Sequence, residues 1–357
     1  IHRYNLGRLN KIPSMSMFYP VTADALYFSW ALAKSWGQLY TNCGGEGTGG
    51  TLDEKWLRDF EIKHISSYTN PKKITDLAFM LSFDTRDYSD GCETHQSNFI
   101  KWLQASYLCG ISTDMVFENA QFKDFARHRR IVCAHTVMLS DNVLNKLRRY
   151  VKEGGHLITI GDFAKYKPDG SLRSRVTIGR KSEELGIGKV TVLSDEDCYD
   201  NYHWVLNINR FETDLSKATK EAAEYAVEKL RATGGKTLLE AISNDTIMKV
   251  TSKQDVHASL FKVRNGFALN IVNTEDTITK EGLTNHLLPI PAFVKGAKEI
   301  KNDIQIDINM DIPAKKITLY SPERSRSLAI PFTNTDSKLS FIVPKKKFAG
   351  YALIEIK

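Results

Sequence analysis

The sequence predicts an α/β protein followed by an all-β part, and three observations carry that prediction. From about residue 74, strand-length apolar runs alternate with amphipathic helical stretches, the pattern of a doubly wound parallel sheet. From about residue 258, the hydrophobic period switches to two, as in an antiparallel sandwich. Before both, the first seventy or so residues hold only two β/α units, too few to bury both faces of a parallel sheet. Residue 1 is Ile rather than Met, and these units read as the end of something larger.

Taken in order, residues 13–19 read as a strand, 22–37 as a helix and 38–43 as a second strand. A glycine loop follows, YTNCGGEGTGG, with Gly44, Gly45, Gly47, Gly49 and Gly50, and then a helix over 53–68. ITDLAFMLS is the first strand of the next part, and SFDTRDY reads as a polar loop after it. HQSNFIKWLQASYLCG is a helix with Phe99, Leu103 and Tyr107 on one face and Gly110 as its stop. STDMVFE and RRIVCAHTVML are strands. Ser140 caps a helix that turns Val143, Leu144, Leu147 and Val151 inward and ends at Gly154–Gly155. HLITIGD is a fourth strand, and GIGKVTVLSD adds an edge strand. After an Ala- and Glu-rich helix over 217–232, SLFKVRNGFALNIVN reads as a hairpin turning at Asn265–Gly266. IQIDINMDI alternates Ile304, Ile306, Ile308, Met310 and Ile312 on one face. KKITLYSP, RSLAIPF, LSFIVP and YALIEIK supply the remaining strands.

The bulk numbers set bounds on partners. The chain has 357 residues, 42% hydrophobic and 25% charged, with a net charge of +7 scattered over separate small clusters. Nucleic-acid binding needs a concentrated basic stripe with stacking aromatics, so no nucleic-acid partner is expected. No apolar run is long enough to span a bilayer, so no membrane partner is expected either. The five cysteines (Cys43, Cys92, Cys109, Cys133, Cys198) are odd in number, widely spaced and form no CxxC pair, which supports neither a disulfide framework nor a zinc ribbon. No metal and no cofactor are expected.

Ligands in doubly wound sheets bind at the carboxyl ends of the strands, which here carry Asp84, Arg86, Asp87, His135 and Asp162. Cys133 beside His135 suggests an amidotransferase nucleophile. Such a nucleophile needs a sharp strand-to-helix turn with small neighbours and backbone N–H groups for an oxyanion. Cys133 lies mid-strand between Val132 and Ala134, so a buried structural thiol is the expectation.

The order of parts resembles the C-terminal half of family 42 β-galactosidases and related barrel glycoside hydrolases. RHRRIVCAHTVMLSDNVLNKLRRYVKEGGHLITIGD is similar to their strand–"lsd"–helix–"yV..GG.l" run. GIGKVTVLSD is similar to their "G.GkV.yl" strand, and FALNIVNTED to the "l.ivN" strand of their last domain. The resemblance covers roughly residues 74–357. It implies the end of a (β/α)8 barrel over 1–72, a flavodoxin-like (class I amidotransferase-like) domain without its nucleophile over 73–200, a helical connector over 201–240 and a β-sandwich over 241–357. It also implies that the middle domain serves homo-oligomer assembly. In that family the two catalytic carboxylates stand at the ends of barrel strands four and seven. SMSMFYP offers no Glu if it is strand seven, so both catalytic residues are unassigned in this chain. Barrel active sites use the carboxyl ends of the strands, which leaves Tyr19, Tyr40, Asn42 and Glu46 as the substrate-binding candidates. Trp30 and Trp36 are expected to pack rather than to stack on a sugar.

Three functions follow as hypotheses. The leading one is the C-terminal portion of a glycoside-hydrolase-like protein acting on a carbohydrate. The second is a non-catalytic oligomerisation or carbohydrate-contacting module. The third is a free-standing flavodoxin-like hydrolase or amidotransferase, for which Cys133 would have to react.

Overall fold

A computed structural model describes residues 14–18, 22–42, 53–88, 92–199, 225, 227–275, 299–335 and 337–357. They fall into two compact units, one formed by 14–74 with 247–357 and the other by 75–199 with 225 and 227–246.

The first unit opens with β1 (Met15–Phe18), α1 (Ala23–Ser35) and β2 (Leu39–Asn42). Thr22 starts α1 by accepting the Ala25 N–H, which satisfies one of the orphan donors at a helix start. β1 and β2 pair in parallel, Met15 opposite Leu39 and Phe18 opposite Asn42. Among the described residues no closed barrel is present; this is a single β–α–β unit. The helix expected over 53–68 is two, α2 (Lys55–Lys63) and α3 (Ile65–Tyr68), broken at His64. A two-residue strand β3 (Lys72–Lys73) follows.

The second unit is built on β4 (Leu77–Leu81), α4 (Phe83–Tyr88), α5 (Cys92–Leu108), β5 (Thr113–Phe117), α6 (Phe122–Ala126), β6 (Arg130–Met138), α7 (Asp141–Lys152) and β7 (His156–Tyr166). β8 (Glu183–Leu185), β9 (Gly188–Leu193), a π-helical turn at Arg231–Gly235 and α8 (Lys236–Ala241) complete it. Its sheet runs β5-β4-β6-β7-β9-β8. The parallel strands therefore stand in the order second, first, third, fourth, fifth, as in flavodoxin-type doubly wound sheets. GIGKVTVLSD is not the edge: β8 pairs antiparallel outside β9 through a tight turn at Gly186 (φ +68). SFDTRDY is not a loop but α4, because Ser82 accepts the Thr85 N–H and starts a helix there. On α5 the buried stripe is Phe99, Trp102, Ala105 and Ser106 rather than Phe99, Leu103 and Tyr107. It is rotated because the Trp102 indole reaches inward to donate to Asp195 (3.2 Å). α7 buries Val143, Leu144, Leu147, Tyr150 and Val151. The helix expected over 217–232 lies mostly outside the described residues.

The chain then returns to the first unit with β10 (Met248–Thr251), β11 (Val256–Val263), β12 (Gly266–Asn273), β13 (Ile304–Ile308), β14 (Ile317–Tyr320), β15 (Leu328–Ala329), β16 (Phe332–Thr335), β17 (Lys338–Val343) and β18 (Tyr351–Ile356). Two antiparallel sheets form, β10-β13-β17-β16 and β15-β14-β18-β12-β11-β3. Between them lies one core, with Ile304, Ile306, Ile308 and Phe341 from the first sheet and Leu269, Ile271, Ile354 and Ile356 from the second. Met310 is only half-buried because β13 ends at Ile308. The hairpin loop is Arg264–Asn265, and Gly266 is already paired with Val263. Gly266 sits at φ +124, and a Cβ there would lie 2.2 Å from the Ile356 carbonyl. Only glycine allows β18 to come that close.

The far face of the six-stranded antiparallel sheet is covered too. Ala268, Val272, Tyr351 and Leu353 pack against Leu26, Trp30, Leu57 and Phe60 of α1 and α2. β18 is consequently buried along its whole length, although its sequence could serve a one-sided strand.

Candidate functional site

Of the four substrate-binding candidates, Tyr19 and Glu46 lie outside the described residues, as do all the glycines of the loop 44–50. Tyr40 and Asn42 both stand on β2. Successive strand residues point to opposite faces, and Tyr40 shows which face is which. Its hydroxyl is 3.3 Å from Ser29 Oγ of α1, and its ring packs against the Leu26–Trp30 cluster. Tyr40 therefore lies on the helix side of the strand. Asn42 shares that side and occupies the last position of β2, beside the start of the glycine loop. The opposite face of the two strands carries Met15 and Leu39, which are 50% and 49% exposed. Trp30 is buried, its indole donating to Glu61 while Lys34 pairs with the same carboxylate at 2.9 Å.

In the second unit, the strand order reverses between β4 and β6, and the carboxyl ends there form the customary ligand crevice of such sheets. Here the space is taken up by the protein's own groups. Ser82 donates to Glu118 (2.7 Å), and the Asp84 N–H donates to the same carboxylate (2.8 Å). Thr85 donates to the Met138 carbonyl (2.9 Å) and accepts the Met138 N–H (3.1 Å). His95, fully buried, approaches the carbonyls of Ala134 (3.1 Å) and His135 (3.0 Å) through Nδ1. Its Nε2 accepts the Ser82 N–H, so the proton resides on Nδ1. Burial lowers the pKa of His95 and raises that of Glu118.

The sharp turn that a nucleophile would occupy exists, but two residues beyond Cys133. His135 has φ +45, at a register shift of β6 against β7. No glycine marks it, so sequence reading had no signal for the kink. Cys133 itself is fully buried in the core beneath α7, and burial pushes its thiol pKa well up. A thiol held protonated there is not a nucleophile. His135 is half-buried, and its burial lowers its pKa against the pull of Asp195 and Asp162. Lys101 pairs with Asp195 (3.3 Å) and Lys165 with Asp162 (2.6 Å), so the charges around the imidazole balance. Of the other residues expected at strand ends, Arg86 and Asp87 lie instead on α4, where they pair with each other (2.6 Å) at the surface. The cluster can hold a proton but supplies no group that attacks a carbonyl. Among the described residues no three His, Cys, Asp or Glu side chains gather to hold a metal, and no helix is long and apolar enough to cross a membrane.

No protein-family model matches the chain, and no curated protein matches it in sequence. Solved structures do match. α-L-Fucosidase isoenzyme 2 from Paenibacillus thiaminolyticus superposes with a TM-score of 0.58 at 12% identity, over 97% of this chain and 60% of that one. A β-galactosidase from Bacillus circulans sp. alkalophilus gives 0.56 at 10% identity, over 99% and 57%. A GH42 β-galactosidase from G. stearothermophilus gives 0.53 at 8% identity, over 94% and 51%. The fold is glycoside-hydrolase-like. At these identities the likeness is one of fold, and the chain spans between half and three-fifths of the length of these proteins.

Proposed function

We propose that this chain is the C-terminal portion of a protein that hydrolyses glycosidic bonds, with β1, α1 and β2 as the last units of its barrel. The observation that carries the reading is the match over nearly the whole chain to glycoside hydrolases, each about twice as long or somewhat less. The half-exposed Met15 and Leu39 support it, since a closed barrel would bury that apolar face. On this reading Glu46 and Tyr19, which lie outside the described residues, remain the candidates for contact with the sugar, whereas Asn42, on the helix side of β2, faces away from the barrel interior. Tyr40, on the same side as Asn42, holds β2 to α1. The catalytic carboxylates belong to preceding barrel strands, because double displacement needs two of them about 5 Å apart. The middle unit serves assembly into a homo-oligomer; its filled crevice and protonated Cys133 speak against hydrolase chemistry of its own.

The test is hydrolysis of aryl β-galactosides and α-fucosides by the protein with and without an upstream barrel. Turnover by the longer protein and none by residues 1–357 is expected. Turnover by residues 1–357 alone overturns the reading. In the longer protein, Glu46→Gln lowering kcat/KM assigns the loop to the sugar, and an unchanged value removes Glu46 from the site.

A further inference from the structure

The opposite, amino-terminal end of the parallel sheet in the second unit holds a pocket of about 450 Å³. That volume falls in the range of small-molecule sites, roughly 300–1,000 Å³. Its charged and titratable lining comes from the starts of the parallel strands β6, β7 and β9, from antiparallel β8 and from the turn after α8: Arg129, Arg130, His156, Lys189, Glu184 and Asp245. Three cations thus face two carboxylates.

How those charges are paired decides the chemistry. Asp245 is shared, accepting from Arg129 and from Arg130 (2.7 Å). The Arg130 side chain is only 7% exposed, yet its Nη1 is buried with no hydrogen-bond partner. A buried guanidinium nitrogen without an acceptor is costly and uncommon. Lys189 makes no ion pair among the described residues, although Glu184 stands opposite it across β8 and β9. His156 is buried at the base, its Nε2 bonded to Thr191 Oγ1 (2.9 Å). Burial, Lys189 and Arg130 together lower its pKa to about 3, so it is neutral at ordinary pH and adds no charge of its own.

We propose that this pocket binds the oxyanion end of a small molecule, with Arg130 Nη1 and Lys189 as its donors. The surplus of one positive charge suits a single anionic group, and the remaining volume accommodates the body that carries it. Strand starts are an uncommon place for such a site: they lack the helix N-termini that gather at the carboxyl ends, so recognition falls to side chains.

The test is titration of the whole chain at pH 6.5 with sodium sulfate, phosphate or acetate, each against chloride at matched ionic strength, following the His156 ring resonances by NMR. A saturable shift with at least one oxyanion and none with chloride is expected, and the ranking of the three names the headgroup. Lys189→Met and Arg130→Gln should each weaken binding about tenfold or more, the scale of a charge-assisted hydrogen bond, while Lys63→Met in the other unit leaves it unchanged. Arg130→Gln removes one of the two donors to Asp245 and so perturbs the turn as well, and Lys189→Met, on an exposed side chain, carries the decision. A shift equal to that in chloride, or one retained in Lys189→Met, overturns the proposal.

Discussion

Among the described residues each of the two units buries one glutamate in a six-stranded sheet or at its end, and the two are held in opposite ways. Glu118, at the end of β5, is 4% exposed, and its pKa is raised because desolvation outweighs the bonds it accepts from Ser82 and Asp84 N–H. Glu355, on β18, is 5% exposed, yet its pKa is lowered to about 2. His64, 3.4 Å away, is the main cause, with Lys357 (2.6 Å) and Ser67 (2.9 Å) adding to it. The lesson is that burial alone does not set the charge of a carboxylate; the number of cationic or donating partners does. Glu355 belongs to the layer where helices meet the sheet. Glu118 belongs to a crevice where a hydroxyl and a backbone N–H are its bonding partners and the Asp84 carboxylate opposes its charge.

The largest effect is expected in the sandwich core. Ile306→Asp places an unpaired charge between the two antiparallel sheets, at a fully buried position. It should destabilise the first unit by several kcal/mol, seen as loss of cooperative unfolding in urea, with the second unit still folded. Asp307→Lys on the opposite face removes bonds from Ser340 (2.7 Å) and Lys338 (3.2 Å) and sets two cations side by side. Its expected cost is about 1 kcal/mol, well short of unfolding.

The two glutamates come next, and their signs differ. Glu355 has a depressed folded pKa, so its contribution of roughly 3 kcal/mol is present above its unfolded pKa and is lost as pH falls towards 2. Glu118 has a raised folded pKa, so its ionisation opposes folding at neutral pH, and that penalty is relieved as pH falls through the folded pKa. Urea midpoints measured between about pH 3 and pH 7 should therefore show Glu355→Gln destabilising at neutral pH and converging on the parent at low pH. Glu118→Gln should change little or stabilise. Equal neutral-pH losses from both substitutions would remove the distinction.

A glycine pair sharpens the contrast at smaller scale. Gly110 and Gly266 both have positive φ, but a Cβ on Gly110 meets open space whereas one on Gly266 meets the Ile356 carbonyl. Gly110→Ala should cost about 1–2 kcal/mol from the backbone alone, and Gly266→Ala clearly more, read from thermal midpoints. Last, a thiol reagent at neutral pH should modify the partly exposed Cys109 in the native protein and reach Cys133 only after unfolding. Rapid native labelling of Cys133 would reopen an amidotransferase role for the second unit.

Much of the architecture was legible in the chain. The runs ITDLAFMLS, RRIVCAHTVML and HLITIGD are strands because uninterrupted apolar stretches of that length suit a sheet covered on both faces. Ser140 and the Val143–Leu144–Leu147–Val151 spacing define α7 because capping and helical periodicity are local. The Ile304–Ile306–Ile308 alternation defines β13 for the same reason. Tertiary structure alone decided the rest. It set Tyr40 against Ser29, kinked β6 at His135 through the carbonyls that His95 bonds, and gathered Arg130, His156, Lys189 and Asp245 at the amino end of the sheet. Those residues are far apart in sequence and carry no shared motif. Their meeting depends on strand order and register, which long-range packing fixes and local periodicity does not.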